Sequence, residues 1–271
     1  MQVIETFIAS KTGDPSTCED LIVECDGFLA VFDGATDKTE ASYDGMAGGR
    51  FAVRSLERTL DHVAGDIKAA ACVKAMTEDL RRAIAEHGPS EAPDDNPSAS
   101  VLIFSAARSE VWRVGDCSWM RGSEYFRGGK EIDGIVAAAR AALLHALLDG
   151  GASVEELRDR DPGRAMLMPL LEQQFRFRNS SNGSAQLGFG ALDGKPVPER
   201  FVEVVKVKPG DEIVFATDGY PELQPTLEQS EEALAQDLAS DPLRIGRYKS
   251  TKAVKPGAAS FDDRAFARFR V

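Results

Sequence analysis

Several aspartates stand where an apolar stretch of the sequence begins or ends. Asp33 follows Phe-Leu-Ala-Val-Phe, and Asp218 follows Ile-Val-Phe-Ala-Thr. Asp116 follows a third apolar stretch, and Asp262 and Asp263 precede the last one. Because a buried strand holds its terminal residue in a fixed place, these carboxylates meet at one edge if the strands are neighbours. The sequence therefore predicts a cluster of carboxylates.

Such a cluster requires cations, because neighbouring carboxylates raise each other's pKa unless positive charge lies between them. Ligand sets made only of oxygen, without histidine or cysteine, suit hard ions such as Mg²⁺ or Mn²⁺. Two such ions bridged by a carboxylate can activate water and hold a phosphoryl group. Calcium also accepts oxygen ligands, but the spacing contains no EF-hand loop. The pattern favours phosphoryl chemistry over calcium sensing.

The composition narrows the class of protein. The chain has 271 residues, of which 43% are hydrophobic and 28% charged, as is typical of a folded globular protein. Its 44 acidic and 32 basic side chains give a formal net charge of −12. That charge repels nucleic-acid phosphates and anionic lipid, so we expect neither as a partner. The length fits a single domain over 1–271, and we expect a monomer.

The cysteines and histidines indicate no zinc site. The four cysteines contain no Cys-x-x-Cys pair, and only three histidines are present. Unpaired thiols are typical of a reducing compartment, and neither a signal peptide nor a membrane-spanning stretch is evident in the sequence. We therefore expect a cytoplasmic protein.

The distribution of apolar residues predicts the order of strands and helices. Apolar runs predict strands at 21–25, 28–32, 100–105, 110–114, 117–121, 201–207, 212–217 and 264–271. Repeats of three and four residues predict helices at 40–64, 66–87, 135–147, 154–160 and 227–238. Turn residues predict hairpins at 21–32 and 201–217, a meander at 100–121 and a loop at 87–98.

This order of elements favours one fold class. Strands and helices do not alternate strictly, so an α+β architecture with mostly antiparallel sheets is expected rather than a doubly wound sheet. No internal repeat or low-complexity linker divides the chain. The less regular stretch around 125–185 is predicted to be a variable, flap-like segment of the single domain.

Five motifs in this order resemble the metal-dependent protein phosphatases of the 2C type, in particular bacterial single-domain members. The motifs are Glu19-Asp20, Phe28-Leu-Ala-Val-Phe-Asp-Gly34, Val111-Trp-Arg-Val-Gly-Asp116, Gly210-Asp-Glu-Ile-Val-Phe-Ala-Thr-Asp-Gly219 and Phe261-Asp-Asp-Arg264. The resemblance spans essentially the whole chain. It implies a β-sandwich of two mostly antiparallel sheets flanked by helix pairs, and hydrolysis of phosphomonoesters.

The resemblance also implies a ligand set for two Mg²⁺ or Mn²⁺ ions. Asp33 matches the residue that bridges the two ions, and the carbonyl of Gly34 matches a ligand of one of them. Asp218 and Asp262 match the ligands of the other ion. The implied reaction is direct attack on phosphorus by a water that bridges the ions, without a phosphoenzyme.

Three further acidic residues match motif positions. Asp116 matches an aspartate that helps to bind a third, weaker ion in bacterial members, so a third ion is a possibility that the resemblance raises. Glu19 and Asp20 match an acidic pair that contacts the metals mainly through water.

The sequence departs from the family pattern at two places. Ala35-Thr36-Asp37-Lys38 follows Gly34 where the family often has His-Gly-Gly or Met-Gly-Gly, so no histidine of that loop can act as general acid. The early phosphate-binding arginine of the family is missing, and Lys11 is the nearest basic residue that could replace it.

A basic cluster just before Asp262 could bind the substrate phosphate. It comprises Arg244, Arg247, Lys249, Lys252 and Lys255. We expect Arg247 and Lys252 to contribute to substrate binding, although a solvated basic loop explains the cluster equally well.

Three functions remain open at this stage. The first is an Mg²⁺- or Mn²⁺-dependent phosphatase of phosphoserine and phosphothreonine in proteins. The second is a phosphatase of small phosphomonoesters, since the altered loop and missing arginine leave protein recognition unsupported. The third is a catalytically weak module of the same fold that binds or regulates phosphoproteins.

Overall fold

The computed structural model describes residues 1–36, 42–87, 95–180 and 186–271. Its strands are β1 Gln2–Ala9, β2 Leu21–Cys25, β3 Phe28–Gly34, β4 Ala99–Ser105, β5 Glu110–Val114, β6 Ser118–Arg121, β7 Glu124–Phe126, β8 Glu203–Lys206, β9 Glu212–Ala216 and β10 Arg264–Arg270. Its α-helices are α1 Gly48–Glu57, α2 Ala69–His87, α3 Glu131–Asp149, α4 Val154–Asp159, α5 Pro162–Leu171 and α6 Leu227–Ser240.

The strands form two five-stranded sheets. The first sheet has the order β1-β10-β9-β6-β7, and the second has the order β2-β3-β4-β5-β8. Neighbouring strands in both sheets run antiparallel. The predicted α+β class with antiparallel sheets is therefore confirmed.

The two sheets pack face to face through a shared apolar core. Leu29 and Val31 of β3 point into this core, where they meet side chains of the first sheet such as Phe215 and Phe269. The alternate residues Phe28, Ala30 and Phe32 point the other way, toward α1 and α2. Because β3 is buried on both faces, it is apolar at successive positions rather than at every second one.

Helices and irregular segments cover the outer faces of the sandwich. The helices α1 and α2 form a pair on the second sheet. On the first sheet, Leu234 of α6 packs with Val214 and Phe266, together with Val254 and Phe261 of the segment that precedes β10. No helix in the described part of the chain is long and apolar enough to span a bilayer.

The predicted strand partners were wrong in two places. The strands at 100–105, 110–114 and 117–121 exist, but β6 pairs with β7 and β9 in the first sheet instead of continuing a meander. Likewise β8 pairs with β5 and β9 pairs with β10, so residues 201–217 form no hairpin. The alternation of side chains identifies a strand but not its partner, and two stacked sheets offer several partners to each strand.

The predicted helices exist, with one large difference in length. The first was expected over 40–64 but α1 covers Gly48–Glu57, because residues 43–46 form a turn in which Tyr43 and Met46 exchange backbone hydrogen bonds. Residues 37–41, like residues 88–94 of the predicted loop, lie outside the described residues. Three elements were missed, namely β1, β7 and α5. The single-domain organisation and the flap-like character of 125–185 stay predictions.

A buried arginine fastens α3 to its surroundings. Arg140 is fully buried, and its guanidinium bonds Asp161 with Nε at 2.9 Å and Nη2 at 2.7 Å. The same side chain donates to the carbonyls of Arg244 and Ser250. Arg164 of α5 donates to the carbonyl of Thr251. The helices α3 and α5 thereby hold the irregular segment 241–260, which carries much of the basic cluster.

Replacing Arg140→Met should lower the free energy of unfolding by about 3 kcal/mol or more, because it leaves a buried carboxylate and two carbonyls without their donor. Arg160→Met is the matched control, since Arg160 is exposed at the end of α4. Urea unfolding followed by circular dichroism measures both variants. Equal stability of the two would contradict this role of Arg140.

Candidate active site

The ends of the central strands of the second sheet carry two of the aspartates. Asp33 near the end of β3 lies opposite Ser100 of β4. The Ser100 hydroxyl donates to Oδ1 of Asp116, which follows β5. Gly34 lines the same cleft as these residues. The antiparallel register thus brings Asp33 and Asp116 to one end of the sandwich, as the sequence predicted.

The first sheet delivers Asp218 and Asp262 to the same end. Ala216 of β9 lies opposite Phe266 of β10, so the turn after β9, which carries Asp218, is next to the turn before β10, which carries Asp262. The backbone N–H of Asp218 donates to Oδ2 of Asp33 at 3.4 Å, which links the two sheets. Asp33, Asp116, Asp218 and Asp262 all line one cleft of about 470 Å³.

The acidic pair before β2 forms the back wall of this site. Oε2 of Glu19 accepts from the Thr36 hydroxyl at 2.7 Å, while its Oε1 is buried with no hydrogen-bond partner among the described atoms. Asp20 is buried and bonded to Thr217, and its Oδ2 likewise has no partner among them. Asp263 accepts from the backbone N–H of Glu19 and anchors the pair.

Three carboxyl groups of the site carry strongly raised pKa values. Burial and the charges of Asp263, Asp262 and Asp218 raise the pKa of Asp20. Surrounding protein that displaces water, together with neighbouring carboxylates, raises the pKa of both Asp33 and Asp218. Although Asp218 is open to solvent on the cleft side, its other surroundings are protein and acidic groups. These carboxylates repel one another.

Lys11 lies among three acidic neighbours. Its Nζ is 3.0 Å from Glu19, 3.3 Å from Asp263 and 3.6 Å from Asp262. Burial alone would lower the pKa of Lys11, but the carboxylates outweigh it and raise the pKa. Lys11 was predicted to replace the phosphate-binding arginine. The structure places its charged ammonium group against Glu19 of the acidic pair, and phosphate binding by Lys11 stays a prediction.

Of the two residues of the basic cluster that were predicted to bind substrate, Lys252 lies at the floor of the cleft and Arg247 at its rim. Nζ of Lys252 is 2.6 Å from Oδ2 of Asp262. Burial raises the pKa of Asp262, but Lys252 and Lys11 outweigh burial and lower it. The Arg247 side chain is 75% exposed and pairs with Glu222 at 3.4 Å. Arg247 is therefore accessible to a ligand at the mouth of the cleft.

A third lysine was missed by sequence analysis. Nζ of Lys130 lies 2.6 Å from Oδ2 of Asp116 and 3.9 Å from Oδ2 of Asp133. The only signal for it in the sequence is Gly128-Gly129 directly before it. A Cβ at Gly128 would lie 1.9 Å from the carbonyl oxygen of Asp116, so only glycine lets the chain pass close enough to deliver this lysine.

The histidines take no part in the cleft. His62 pairs with Asp79, and His145 lies 3.4 Å from the carbonyl oxygen of Ile245. His87 pairs with Asp44. Of the loop that follows Gly34, Asp37 and Lys38 lie outside the described residues.

The charges of the described site suit divalent cations. Eight carboxylates, those of Glu19, Asp20, Asp33, Asp116, Asp133, Asp218, Asp262 and Asp263, lie in the same region as three ammonium groups, those of Lys11, Lys130 and Lys252. The acidic groups outnumber the lysines, and divalent ions would balance the excess of negative charge. The unpartnered oxygens of Glu19 and Asp20 add hard donors at the same place.

The described side chains do not form a ready-made cage. No three of the described His, Cys, Asp and Glu side chains are arranged around a single point as ligands of one ion. Two of the carboxylates, those of Asp116 and Asp262, instead pair with Lys130 and Lys252. Asp33 and Asp218 have no lysine or arginine within 4.0 Å among the described residues.

Glu231 of α6 connects the two turns of the first sheet. It accepts from the Tyr220 hydroxyl, two residues after Asp218. It also accepts two hydrogen bonds from Arg264, at 2.7 and 2.8 Å, two residues after Asp262. One carboxylate therefore fixes the relative position of both aspartate turns.

The two turns also touch backbone to backbone at Gly219. A Cβ at this position would lie 2.1 Å from the carbonyl oxygen of Asp263.

We expect Gly219→Ala to separate the turns and to weaken Mn²⁺ binding by about tenfold or more, with a loss of stability of about 1–3 kcal/mol. Titration calorimetry with Mn²⁺ measures the affinity. In the control Gly65→Ala the new Cβ meets nothing within 4 Å, so its affinity should equal that of the parent chain. Equal affinities in both variants would refute the prediction.

Structural comparison finds solved proteins similar to this chain. The serine/threonine phosphatase Stp1 from Staphylococcus aureus aligns over 100% of this chain and 95% of its own, with a TM-score of 0.51 and 13% sequence identity. The serine/threonine phosphatase PstP/Ppp from Mycobacterium tuberculosis aligns over 98% and 97%, with a TM-score of 0.48 and 16% identity. The PPM Ser-Thr phosphatase MsPP from Mycobacterium smegmatis aligns over 100% of both chains, with a TM-score of 0.47 and 14% identity.

Sequence comparison adds no relative. No family model matches the chain, and no curated protein sequence matches it. The likeness to Stp1 covers the whole chain and bears on the fold. The fold implied by the motifs is therefore confirmed: this chain has the sandwich fold of the bacterial serine/threonine phosphatase Stp1.

Proposed function

We propose that this protein is a divalent-metal-dependent phosphatase that hydrolyses phosphoserine and phosphothreonine in proteins. The observation that carries the proposal is the pair Asp33 and Asp218. They meet at one end of two stacked sheets, lie on the floor of an open cleft, and have no lysine or arginine within 4.0 Å among the described residues. Bound hard cations would offset the repulsion between carboxylates that lie this close together.

The proposed ligands follow the motif positions. Asp33, the carbonyl of Gly34, Asp218 and Asp262 would hold two Mg²⁺ or Mn²⁺ ions. When bound, the two ions supply charge that stabilises the phosphoryl group and acidifies water. Glu19 and Asp20 lie behind these ligands, where their hydrogen bonds to Thr36, Thr217 and Asp263 would hold the site in place.

The lysines have separate proposed roles. Lys252 lies between the basic rim and Asp262, where its ammonium group can pass from the carboxylate to a phosphate oxygen. Lys11 is held by Glu19 and Asp263, so it is better placed to fix the acidic residues than to bind substrate. The raised pKa of Lys11 keeps it protonated and unsuitable as a general acid near neutral pH.

Changing Asp33→Asn or Asp218→Asn should lower the rate of aryl phosphate hydrolysis in Mn²⁺ by more than about 100-fold, because losing even an outer-shell partner of a metal site costs 10- to 100-fold. The assay compares Mn²⁺, Mg²⁺ and EDTA with purified protein. EDTA should abolish the activity of the parent chain.

Asp26→Asn is the matched control for these variants. Asp26 is exposed in the turn before β3, at the end of that strand opposite Asp33. The Asp26→Asn variant should retain full activity. Activity that survives in both Asp33→Asn and Asp218→Asn, or that is equal in EDTA and Mn²⁺, would contradict the proposal. A folded protein that is inactive with every metal would favour the binding-module alternative.

The protein substrate is proposed from the rim of the cleft. Exposed Arg127, Arg247 and Lys249 line the mouth beyond the lysines of the floor. A peptide around the phosphorylated side chain can reach this rim, whereas a small phosphate ester cannot fill a cleft of about 470 Å³. We further propose that the protein acts in the cytoplasm as a monomer, in keeping with its four free thiols.

Arg247→Ala should raise KM for a phosphopeptide about two- to fivefold with little change in kcat, since an exposed charge contributes about 0.2–1 kcal/mol. KM for an aryl phosphate should stay unchanged. Lys252→Ala should raise KM for both substrates, because Lys252 lies at the floor. Lys255→Ala is the control, as Lys255 is exposed outside the cleft. If Arg247→Ala leaves KM for the phosphopeptide unaltered, the small-ester alternative is favoured.

A further inference from the structure

The carboxylate of Asp116 is fully engaged by its own chain. Oδ1 accepts a hydrogen bond from the Ser100 hydroxyl, and Oδ2 lies 2.6 Å from Nζ of Lys130. Burial raises the pKa of Asp116, but Lys130 and Ser100 outweigh burial and lower it. This aspartate therefore differs from Asp33 and Asp218, whose pKa values are raised.

The position of Lys130 is fixed from several sides. Gly128 passes against the carbonyl oxygen of Asp116, and its N–H donates to the Ser118 hydroxyl at 2.9 Å. Lys130 is the residue before α3, and its Nζ lies 5.2 Å from the centre of the Phe189 ring. The ammonium group is therefore held against Asp116 by the fold.

The ammonium group of Lys130 places a positive charge at the edge of the acidic cluster. Its side chain is 19% exposed and lines the cleft with Asp116. Its positive charge acts on Asp33 and Asp218 as well as on Asp116. Lys130 therefore already supplies a positive charge where Asp116 faces the cleft.

We propose that Lys130 is a built-in cation that replaces a third divalent ion at Asp116, so that the centre binds two ions per chain. This inference rests on the proposed function, because it assumes that Asp33 and Asp218 hold metal. The motif at Asp116 raised a third ion as a possibility, whereas this inference predicts two.

The test is the number of Mn²⁺ ions bound, measured by equilibrium dialysis and metal analysis of the full chain. The parent chain should bind two ions per chain. Lys130→Met removes the ammonium group and frees Oδ2 of Asp116, so it should bind three. The double variant Lys130→Met/Asp116→Asn should return to two, because it also removes the carboxylate.

Two controls separate this role from a structural ion pair. Lys74→Met removes an ammonium group that is 77% exposed on α2 and should leave the number at two. Lys130→Arg keeps a positive charge against Asp116 and should also bind two ions. Circular dichroism of every variant checks that it is folded.

The outcomes distinguish the two proposals. A parent chain that binds three ions contradicts the role of Lys130 directly and needs no variant. A parent chain that binds two ions while folded Lys130→Met also binds two contradicts this inference and leaves the proposed function intact. A parent chain that binds no Mn²⁺ overturns the proposed function and this inference with it.

Discussion

Repulsion among clustered carboxylates is the constraint on which this structure depends. The acidic side chains meet at one end of the sandwich, where Asp33, Asp116, Asp218 and Asp262 line the cleft while Glu19, Asp20 and Asp263 are buried. Each sheet contributes part of the cluster, so the repulsion acts across the interface between the sheets. The apolar core that joins the sheets and the hydrogen bonds of Glu231 keep the strand ends together against this repulsion.

The lysines divide the cluster into two kinds of carboxylate. Lys11, Lys130 and Lys252 neutralise the groups at its edges, which lowers the pKa of Asp116 and Asp262 despite their burial. The centre, formed by Asp33 and Asp218, is left with raised pKa values and no such partner within 4.0 Å among the described residues. Fixed ammonium groups at the edges of the acidic cluster and divalent ions at its centre are thus complementary means of balancing its negative charge.

The sequence predicted the site correctly where a residue type at a given position has a single structural interpretation. An aspartate at the end of an apolar run predicts a carboxylate at a strand end, and Asp33, Asp116, Asp218 and Asp262 all line the cleft. The hairpin of β2 and β3 was predicted from its Asp26-Gly27 turn and is present. The pairing of β6 and β8 could not be predicted, because alternation is the same whichever neighbour a strand takes. Lys130 was missed because a lysine after two glycines carries no chemical signal until the fold sets it against Asp116.

The most direct test of the central claim is the temperature of unfolding of the parent chain and of Asp33→Asn, each in EDTA and in saturating Mn²⁺. Ions that bind only the folded state stabilise it by about 2.7 kcal/mol at 100 times their Kd. The account predicts that Mn²⁺ raises the unfolding temperature of the parent chain. It also predicts that Asp33→Asn unfolds at a higher temperature than the parent chain in EDTA and gains less from Mn²⁺. A parent chain that Mn²⁺ does not stabilise, or an Asp33→Asn protein that is less stable than the parent in EDTA, would contradict the account.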